Sequence, residues 1–330
     1  MKKLLNWDKL PIVLAVILYL LIFFVRYQQG GWEINLDLFP QIRQDFDRKI
    51  AELLPSPQAE LLSGILLGNK KDLPAGLKLA LRDTSTLHIV VVSGENLTML
   101  AGVFIGLAGL FQRKTVIILS IPAVIFFTVL TGGQVPVLRA AFMAILAYTA
   151  EIFGRQRDGI WVLMVTSGLM LLVNPDWLTD LSFQLSILAT AGVVMVSPVL
   201  TKLFKFLPPF LSTDMAVTIG AQLMVTPFII QNFHQLSLTG VFANLFIGWI
   251  VPIIMVLGSI MLVVSVAWAG LAQLLGLAVG VFLTYFIYIV HFFANLPIAW
   301  EYVGEQWLVV WVGYYSVLAG VLLGLSKIQE

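Results

Sequence analysis

Apolar runs long enough to cross a bilayer occupy almost the whole chain after residue 87. Hydrophobic residues make up 59% of the 330 residues and charged residues only 11%, whereas a soluble globular domain carries roughly 25% charged residues. Crossing a hydrocarbon core of about 30 Å takes about 20 apolar residues in a helix. The sequence therefore predicts an all-α polytopic membrane protein of about ten transmembrane helices. The candidate spans are 10–25, 87–111, 115–131, 137–153, 159–174, 182–200, 213–231, 238–268, 271–296 and 306–326.

The charges in the connecting loops predict the orientation of these spans. If the spans alternate in direction, the basic loop residues all fall on one side: Arg113, Lys114, Arg155, Arg157, Lys202, Lys205 and Lys327. The loops on the other side carry acidic residues and no Lys or Arg: Asp176, Asp180, Glu301 and Glu305. By the positive-inside rule, the basic loops and both chain termini lie in the cytoplasm. No small-residue cleavage site follows residue 25, which indicates that the first span is not cleaved.

The run 238–268 is too long for one straight crossing, because its 31 residues exceed what a core of about 30 Å requires. Two stretches interrupt it, Phe242 to Leu245 and Trp249 to Pro252. These stretches predict a re-entrant or half-length helix, followed by one true span. Non-helical backbone at membrane depth persists only against protein or a water-filled cavity. We therefore expect at least one broken or re-entrant helix beside an internal polar cavity.

A charge-balanced polar segment separates the first span from the others, with eight basic and eight acidic residues between Arg26 and Asp83. Apolar residues at helical spacing predict a helix over 45–54. The apolar piece 61–67 is too short to span. It is expected to be an amphipathic helix that lies on the membrane surface or caps the bundle. We divide the chain into a first span (1–27), an extracytoplasmic segment with amphipathic helices (28–86) and a transmembrane core (87–330).

The first apolar run of the core contains five polar or helix-breaking residues: His88, Ser93, Gly94, Glu95 and Asn96. A polar group in hydrocarbon costs several kcal/mol unless it has a partner. One interpretation is a helix broken at Ser93-Gly94 that lines a pore and presents free N–H groups to phosphate. The other is that these groups hydrogen-bond across helices and hold the bundle together.

Other spans carry polar side chains that leave similar alternatives open. Arg139 lies near the start of a span, where it either snorkels to the outer interface or faces a cavity and binds phosphate or Glu95. Gln184 and Asn244 either line the cavity or join helices. Weaker candidates of the same kind are Gln222, Thr226 and His234.

Several classes of chemistry lack the residues that they need. The chain has no cysteine, which excludes disulfides, thiolate metal sites and cysteine nucleophiles. Ser93 lacks the Gly-x-Ser-x-Gly elbow, and there is no Gly-x-x-x-x-Gly-Lys-Ser/Thr phosphate-binding loop. The net charge of +1 gives no electrostatic case for a nucleic-acid partner. We expect no catalytic residues, no metal and no cofactor.

Five stretches between about residues 50 and 300 carry motifs in a fixed order. They are Leu53 to Glu60 with Leu66-Leu67-Gly68, His88 to Asn96, Thr131 to Ala141, Asn174 to Trp177 with Leu181 to Ser186, and Ala243-Asn244-Leu245 ahead of Pro252. Together they resemble the competence domain of the ComEC family, the inner-membrane channel for single-stranded DNA in natural transformation. The resemblance implies that residues 87–330 are a channel core. It also implies the residues that line the DNA path: His88, Ser93, Gly94, Glu95, Asn96, Arg139, Gln184 and Asn244.

The departures from the family pattern shape the expected partners. Many family members also carry an oligonucleotide-binding-like domain and a metallo-β-lactamase-like nuclease domain, and this sequence resembles the transmembrane core alone. The resemblance therefore implies that single-stranded DNA and membrane lipid are partners. It also implies a separate DNA receptor, motor ATPase and nuclease, and it leaves a homo-oligomer open. Glu95 is a second departure, because the family usually has a small or apolar residue there. That acid favours the alternative of a proton- or ion-coupled transporter for a small solute, and a structural membrane scaffold is a third reading.

Overall fold

A computed structural model describes residues 10–32, 37–69, 72–90, 96–97, 113–153, 158–304 and 306–328. Helices form almost all of this part of the chain, together with one short two-stranded antiparallel ladder. The elements are α1 Leu10–Gln29, α2 Pro40–Leu53, α3 Gln58–Leu67, α4 Ala75–Asp83, α5 Leu87–Val90, α6 Arg113–Leu130, α7 Val135–Ile152, α8 Gly159–Val173, a 3₁₀ turn Pro175–Thr179, α9 Leu181–Ala191, a π-helical turn Gly192–Val196, α10 Ser197–Leu203, α11 Pro209–Phe233, β1 Gln235–Ser237, α12 Gly240–Gly248, α13 Val251–Ala267, α14 Ala269–Ala294, β2 Trp300–Tyr302 and α15 Leu308–Ile328.

Five of the described helices are long and apolar enough to cross a membrane: Val135–Ile152, Leu181–Leu203, Leu211–Phe233, Ala269–Ala294 and Leu308–Leu325. Shorter apolar helices occupy three more of the predicted spans, at Leu14–Gln29, Lys114–Leu130 and Gly159–Val173. The prediction of a helical membrane protein is confirmed. The count of ten spans and the cytoplasmic termini are not confirmed, and most of the predicted span 87–111 lies outside the described residues.

The predicted break in the run 238–268 is present. The nine-residue helix α12 ends at Gly248 and α13 begins at Val251, with a bend of 46° between the two axes. Pro252 occupies the first turn of α13, where its missing N–H is tolerated. Counted as one bent span, the pair gives a sixth helical unit that is able to cross.

Helix α1 packs against α8 with both helices running in the same direction. Tyr19 donates a hydrogen bond to the carbonyl of Gly168 at 3.1 Å, near the middle of both helices. About two turns further along α1, Arg26 donates to the carbonyls of Leu172 at 3.0 Å and Val173 at 2.9 Å, which lie about one turn further along α8. These carbonyls belong to the last turn of α8, where carbonyl groups have no N–H partners within the helix. The parallel packing agrees with the predicted topology, in which both helices end on the same side.

The helix over 61–67 does not lie on a surface. Eight of the ten residues of α3 are buried, which disfavours the predicted placement on the membrane surface. Leu62 and Leu66 of α3 pack on Gly258 of α13, and the helix ends at Gly68 in the left-handed conformation. Its packing against α13 and α14 supports the other predicted placement, against the bundle.

Helix α2 contacts two turns that the loop charges predict to be on opposite sides of the membrane. Arg43 donates to the carbonyl of Leu130 at the end of α6, at 3.5 Å. On the same helix, Ile42 and Phe46 share a groove with Val266, which is next to the turn between α13 and α14. The 14 residues of α2 extend only about 21 Å, less than a hydrocarbon core of about 30 Å. Because α2 approaches both turns, the alternating order of crossings through α13 and α14 is not confirmed.

Helix α15 is attached to α11 at the position of a proline. Pro227 has no N–H, which leaves the carbonyl of Leu223 without its helical partner. Tyr314 donates to this carbonyl at 2.9 Å, and Tyr315 donates to the carbonyl of Met224 at 2.8 Å. No residue in the apolar window of α15 is buried inside the chain, so these hydroxyl groups contribute much of its attachment.

Replacing both tyrosines by phenylalanine is expected to loosen α15. Each lost hydrogen bond contributes about 1 kcal/mol, and the Leu223 carbonyl, which has no helical partner because of Pro227, would then be unpaired. We expect the variant carrying Tyr314→Phe and Tyr315→Phe to unfold earlier in detergent, and a protease to cleave before α15 faster. Tyr288→Phe, at an exposed position of α14, serves as the control. Equal stability of both variants would show that the hydroxyl groups do not hold α15.

Candidate functional site

Arg139 lies inside the helical bundle, in the first turns of α7. The preceding turn contains Gly132 and Gly133 with φ angles of 77° and 63°, a conformation that favours glycine. Pro136 stands in the first turn of α7, where its missing N–H is tolerated. Only 6% of Arg139 is exposed. This burial supports the interior placement of Arg139 over snorkelling to the interface.

The guanidinium of Arg139 is only partly satisfied. Its Nη1 donates a hydrogen bond to Oγ1 of Thr190 on α9, and that hydroxyl donates to the carbonyl of Ser186 at 2.9 Å. Within the described part of the chain, Arg139 has no ion pair, and its buried Nε has no hydrogen-bond partner. Thr190 lies nine residues beyond the start of α9, about 13 Å along the helix axis. The guanidinium therefore lies within the length of the neighbouring apolar span, 181–203.

The π-helical turn that follows Thr190 was not predicted from the sequence. It joins α9 and α10 into one apolar span over 181–203. At Gly192 this span touches α11 so closely that an added Cβ would overlap the backbone carbonyl of Gly220. Small residues permit such close approach between membrane helices, and π turns are frequent at functional sites. The sequence feature that indicates this contact is a glycine in the middle of each of the two apolar runs, Gly192 in one and Gly220 in the other.

Asn244 lies on α12, the short helix before the break. Its Nδ2 donates to Oγ1 of Thr218 on α11 at 2.7 Å. Its Oδ1 is buried and has no partner among the residues that the structure describes. An unpaired buried acceptor costs about 1–3 kcal/mol, so this amide provides an open position for a donor.

A strip of polar side chains runs along α11 on the side of Asn244. Its members are spaced by four residues, which places them on one face of the helix: Asp214, Thr218, Gln222 and Thr226. Gln222 donates to the carbonyl of Ser237 in β1 at 3.3 Å. Sequence reasoning ranked Gln222 and Thr226 as weak and missed Asp214 and Thr218, although the four-residue spacing was visible. We call these four residues the α11 strip.

Three other predicted residues bond to nearby backbone carbonyl groups. His88 is exposed, and its Nδ1 lies 2.7 Å from the carbonyl oxygen of Ser85. Gln184 donates to the carbonyl of Leu178 at 2.8 Å, in the turn before α9. Asn96 is 1% exposed and donates to the carbonyls of Ile65 and Ile89 at 3.3 and 3.2 Å. These contacts favour the interpretation that the three side chains hold the fold together.

The predicted residues do not form one cluster in the described structure. Each described polar side chain among them bonds to a residue outside the predicted set. Arg139 and Asn244 contact different helices, α9 and α11. Ser93, Gly94 and Glu95 lie outside the described residues, so the predicted helix break and the pairing of Glu95 with Arg139 stay predictions. No group of three or more metal-binding side chains occurs within the described ranges.

Asn96→Ala is expected to lower stability while leaving transport per folded molecule unchanged. The Ile65 carbonyl is in the last turn of α3, where no helical N–H is available to it. Losing the amide leaves buried carbonyl groups unpaired at a cost of about 1–3 kcal/mol. Thermal unfolding in detergent would measure this loss. Asn232→Ala is the matched control, because Asn232 is exposed and bonds within its own helix. A transport defect in correctly folded Asn96→Ala protein would contradict the structural role.

Three curated proteins are similar in sequence to part of this chain. The chain is 28% identical to "Uncharacterized protein YcaI" of Escherichia coli (strain K12), over 58% of this chain and 27% of the relative. It is 25% identical to "ComE operon protein 3" of Bacillus subtilis (strain 168), over 58% of this chain and 25% of the relative. An uncharacterized protein of Aquifex aeolicus (strain VF5) is 30% identical, over 39% of this chain and 30% of the relative.

The chain thus spans about a quarter to a third of the length of these curated relatives. No solved structure matches it. The family model described as "Competence protein" matches residues 65–327, which is most of the chain. The resemblance carried by the five sequence motifs is therefore confirmed, and the chain belongs to the competence protein family.

Proposed function

We propose that this chain forms a conduit in the cell's inner membrane through which single-stranded DNA enters the cytoplasm in natural transformation. Membership of the competence family supports this role, as does the similarity to ComE operon protein 3. The helices that are long enough to span a membrane support the location. The chain is proposed to act without catalysis, so that a separate receptor, motor ATPase and nuclease supply DNA capture, driving force and strand degradation.

The buried cation of Arg139 carries the proposal. A charged arginine within a membrane span costs up to about 2.5–3.5 kcal/mol on insertion scales, and the partner of Arg139 within the described structure is the Thr190 hydroxyl. A DNA strand brings a negative phosphate with every nucleotide. An arginine fork binds phosphate oxygens through parallel hydrogen bonds. A passing phosphate would therefore supply the partner that the Nε donor lacks.

Deleting the gene in a naturally transformable host tests this function. We expect fluorescent DNA to be bound at the cell surface in the deletion strain and to be absent from the cytoplasm, with entry restored by the wild-type gene. Normal entry of DNA after deletion would remove the proposal. A solute flux that is lost with the gene while DNA entry persists would instead establish the transporter reading, for which Glu95→Gln is the decisive variant.

A further inference from the structure

The two faces of α11 have opposite character. Ala216 is fully buried, and Gly220 touches the backbone of Gly192, so this face is packed against the neighbouring span. The α11 strip lies on the opposite side of the helix, since its residues are centred about half a helical turn away. None of its four residues is buried. On this side Thr218 and Gln222 hydrogen-bond to Asn244 and Ser237, and the polar face is only partly covered, as in a helix that borders water.

The α11 strip is too polar to face lipid. Threonines can satisfy themselves within a helix, and Thr226 does so by donating to the carbonyl of Gln222 at 2.6 Å. The Gln222 amide donates instead to the Ser237 carbonyl of β1. An ionised carboxylate has no donor and so no such route, and ionisable side chains in membrane segments face the bundle interior or a water-filled cavity. From Asp214 to Thr226 the strip extends about 18 Å, more than half of a core of about 30 Å.

The chemistry of the α11 strip differs from that at Arg139. Its only charge is the carboxylate of Asp214, which repels phosphate. Thr218, Gln222 and Asn244 provide neutral hydroxyl and amide groups. The edge of every nucleobase carries hydrogen-bond donors or acceptors. A surface of amides and hydroxyls therefore suits bases of any sequence, whereas a fixed cation suits phosphate.

We infer that the α11 strip, completed by Asn244, is a water-filled wall of the DNA path that contacts the edges of the bases. The inference rests on the proposed function, because it names the part of the DNA strand that meets this face.

The absence of cysteine from the sequence allows a direct test of the wet wall. Thr218→Cys, Gln222→Cys and Thr226→Cys would each be exposed in membranes to a charged, membrane-impermeant thiol reagent. Thiols react as thiolates, which form in water and not in lipid or packed protein. We expect all three to react. The controls Ala216→Cys, on the packed face, and Leu277→Cys, at an exposed apolar position of α14, are expected to stay unreactive. Strip cysteines as inert as these controls would overturn the inference.

The contact with bases has its own test, on purified protein carrying Thr218→Cys. A single-stranded oligonucleotide is expected to slow thiol labelling, and an abasic strand of the same length to slow it much less. Adding Gln222→Leu is expected to weaken this protection by about fivefold, the equivalent of one hydrogen bond. Equal protection by both strands would show that phosphates, not bases, contact this face. No protection by either strand would show that DNA does not pass along it.

These outcomes separate the inference from the proposed function. If the strip cysteines react but deletion of the gene leaves DNA entry normal, the strip is a water-filled wall and DNA is not its ligand. Loss of DNA entry on deletion, combined with inert strip cysteines, would retain the function and place the path elsewhere.

Discussion

Arg139→Ala is expected to lower the entry of DNA into the cytoplasm by about ten- to hundredfold, since a hydrogen bond to a charged group contributes about 1.5–3 kcal/mol. The change removes a buried cation whose described contact is a single threonine hydroxyl. Arg139→Lys is expected to fall between the wild type and Arg139→Ala, because lysine keeps the charge and loses the planar fork. Fluorescent DNA in the cytoplasm, divided by the amount of folded protein in the membrane, measures the effect.

A second arginine provides the control for Arg139→Ala. Arg26 donates to two carbonyls at the end of α8 and lies over the ring of Trp32 at 4.0 Å. Its contacts are structural, so Arg26→Ala is expected to lower stability and to leave DNA entry per folded molecule unchanged. Wild-type entry in folded Arg139→Ala protein, or equal defects in both variants, would contradict a specific role for Arg139.

Gly192→Ala is expected to destabilise the protein by about 1–3 kcal/mol, the usual cost of overpacking. In an ordinary helix interior the same change stabilises by about 1 kcal/mol. The sign reverses here because the new Cβ would overlap the backbone carbonyl of Gly220, which cannot rotate away as a side chain does. The two spans would then have to separate. Thermal or denaturant unfolding in detergent measures the change.

Gly313→Ala is the matched control for Gly192→Ala. Gly313 lies in α15, where an added Cβ would meet nothing within 4 Å. We expect this variant to be as stable as the wild type or slightly more stable. If Gly192→Ala behaved in the same way, α9 and α11 would not be in backbone contact at the π turn.

The features that the sequence predicts correctly are encoded locally. A run of apolar residues specifies a helix wherever it lies, because every backbone group must be paired in lipid. The break before Pro252 was predictable for the same reason, since 31 residues exceed one crossing and the proline fixes the start of α13.

The features that the sequence misses depend on distant contacts. The burial of α3 depends on Gly258, almost 200 residues away, which leaves room for Leu62 and Leu66. The alternating topology is not confirmed at α13 and α14. The loop between them carries no charge, so the positive-inside rule has nothing to act on there.

The candidate site divides in the same way. The sequence alone identifies Arg139 and Asn244 as candidate site residues, because they are polar side chains within apolar spans. Their partners, Thr190 and Thr218, lie on other helices and follow only from the packing. For Asn96 the sequence left two readings open, and its bonds to Ile65 and Ile89 favour the structural one.

Passage of DNA through the purified protein tests the central claim most directly. The protein would be placed in lipid vesicles with a membrane potential that is positive inside, so that voltage replaces the motor. We expect a fluorescent single-stranded oligonucleotide to enter vesicles that contain the wild type, and to enter vesicles with Arg139→Ala about ten- to hundredfold more slowly. Exclusion of the oligonucleotide by folded wild-type protein, or equal entry through both proteins, would contradict a DNA path that includes Arg139.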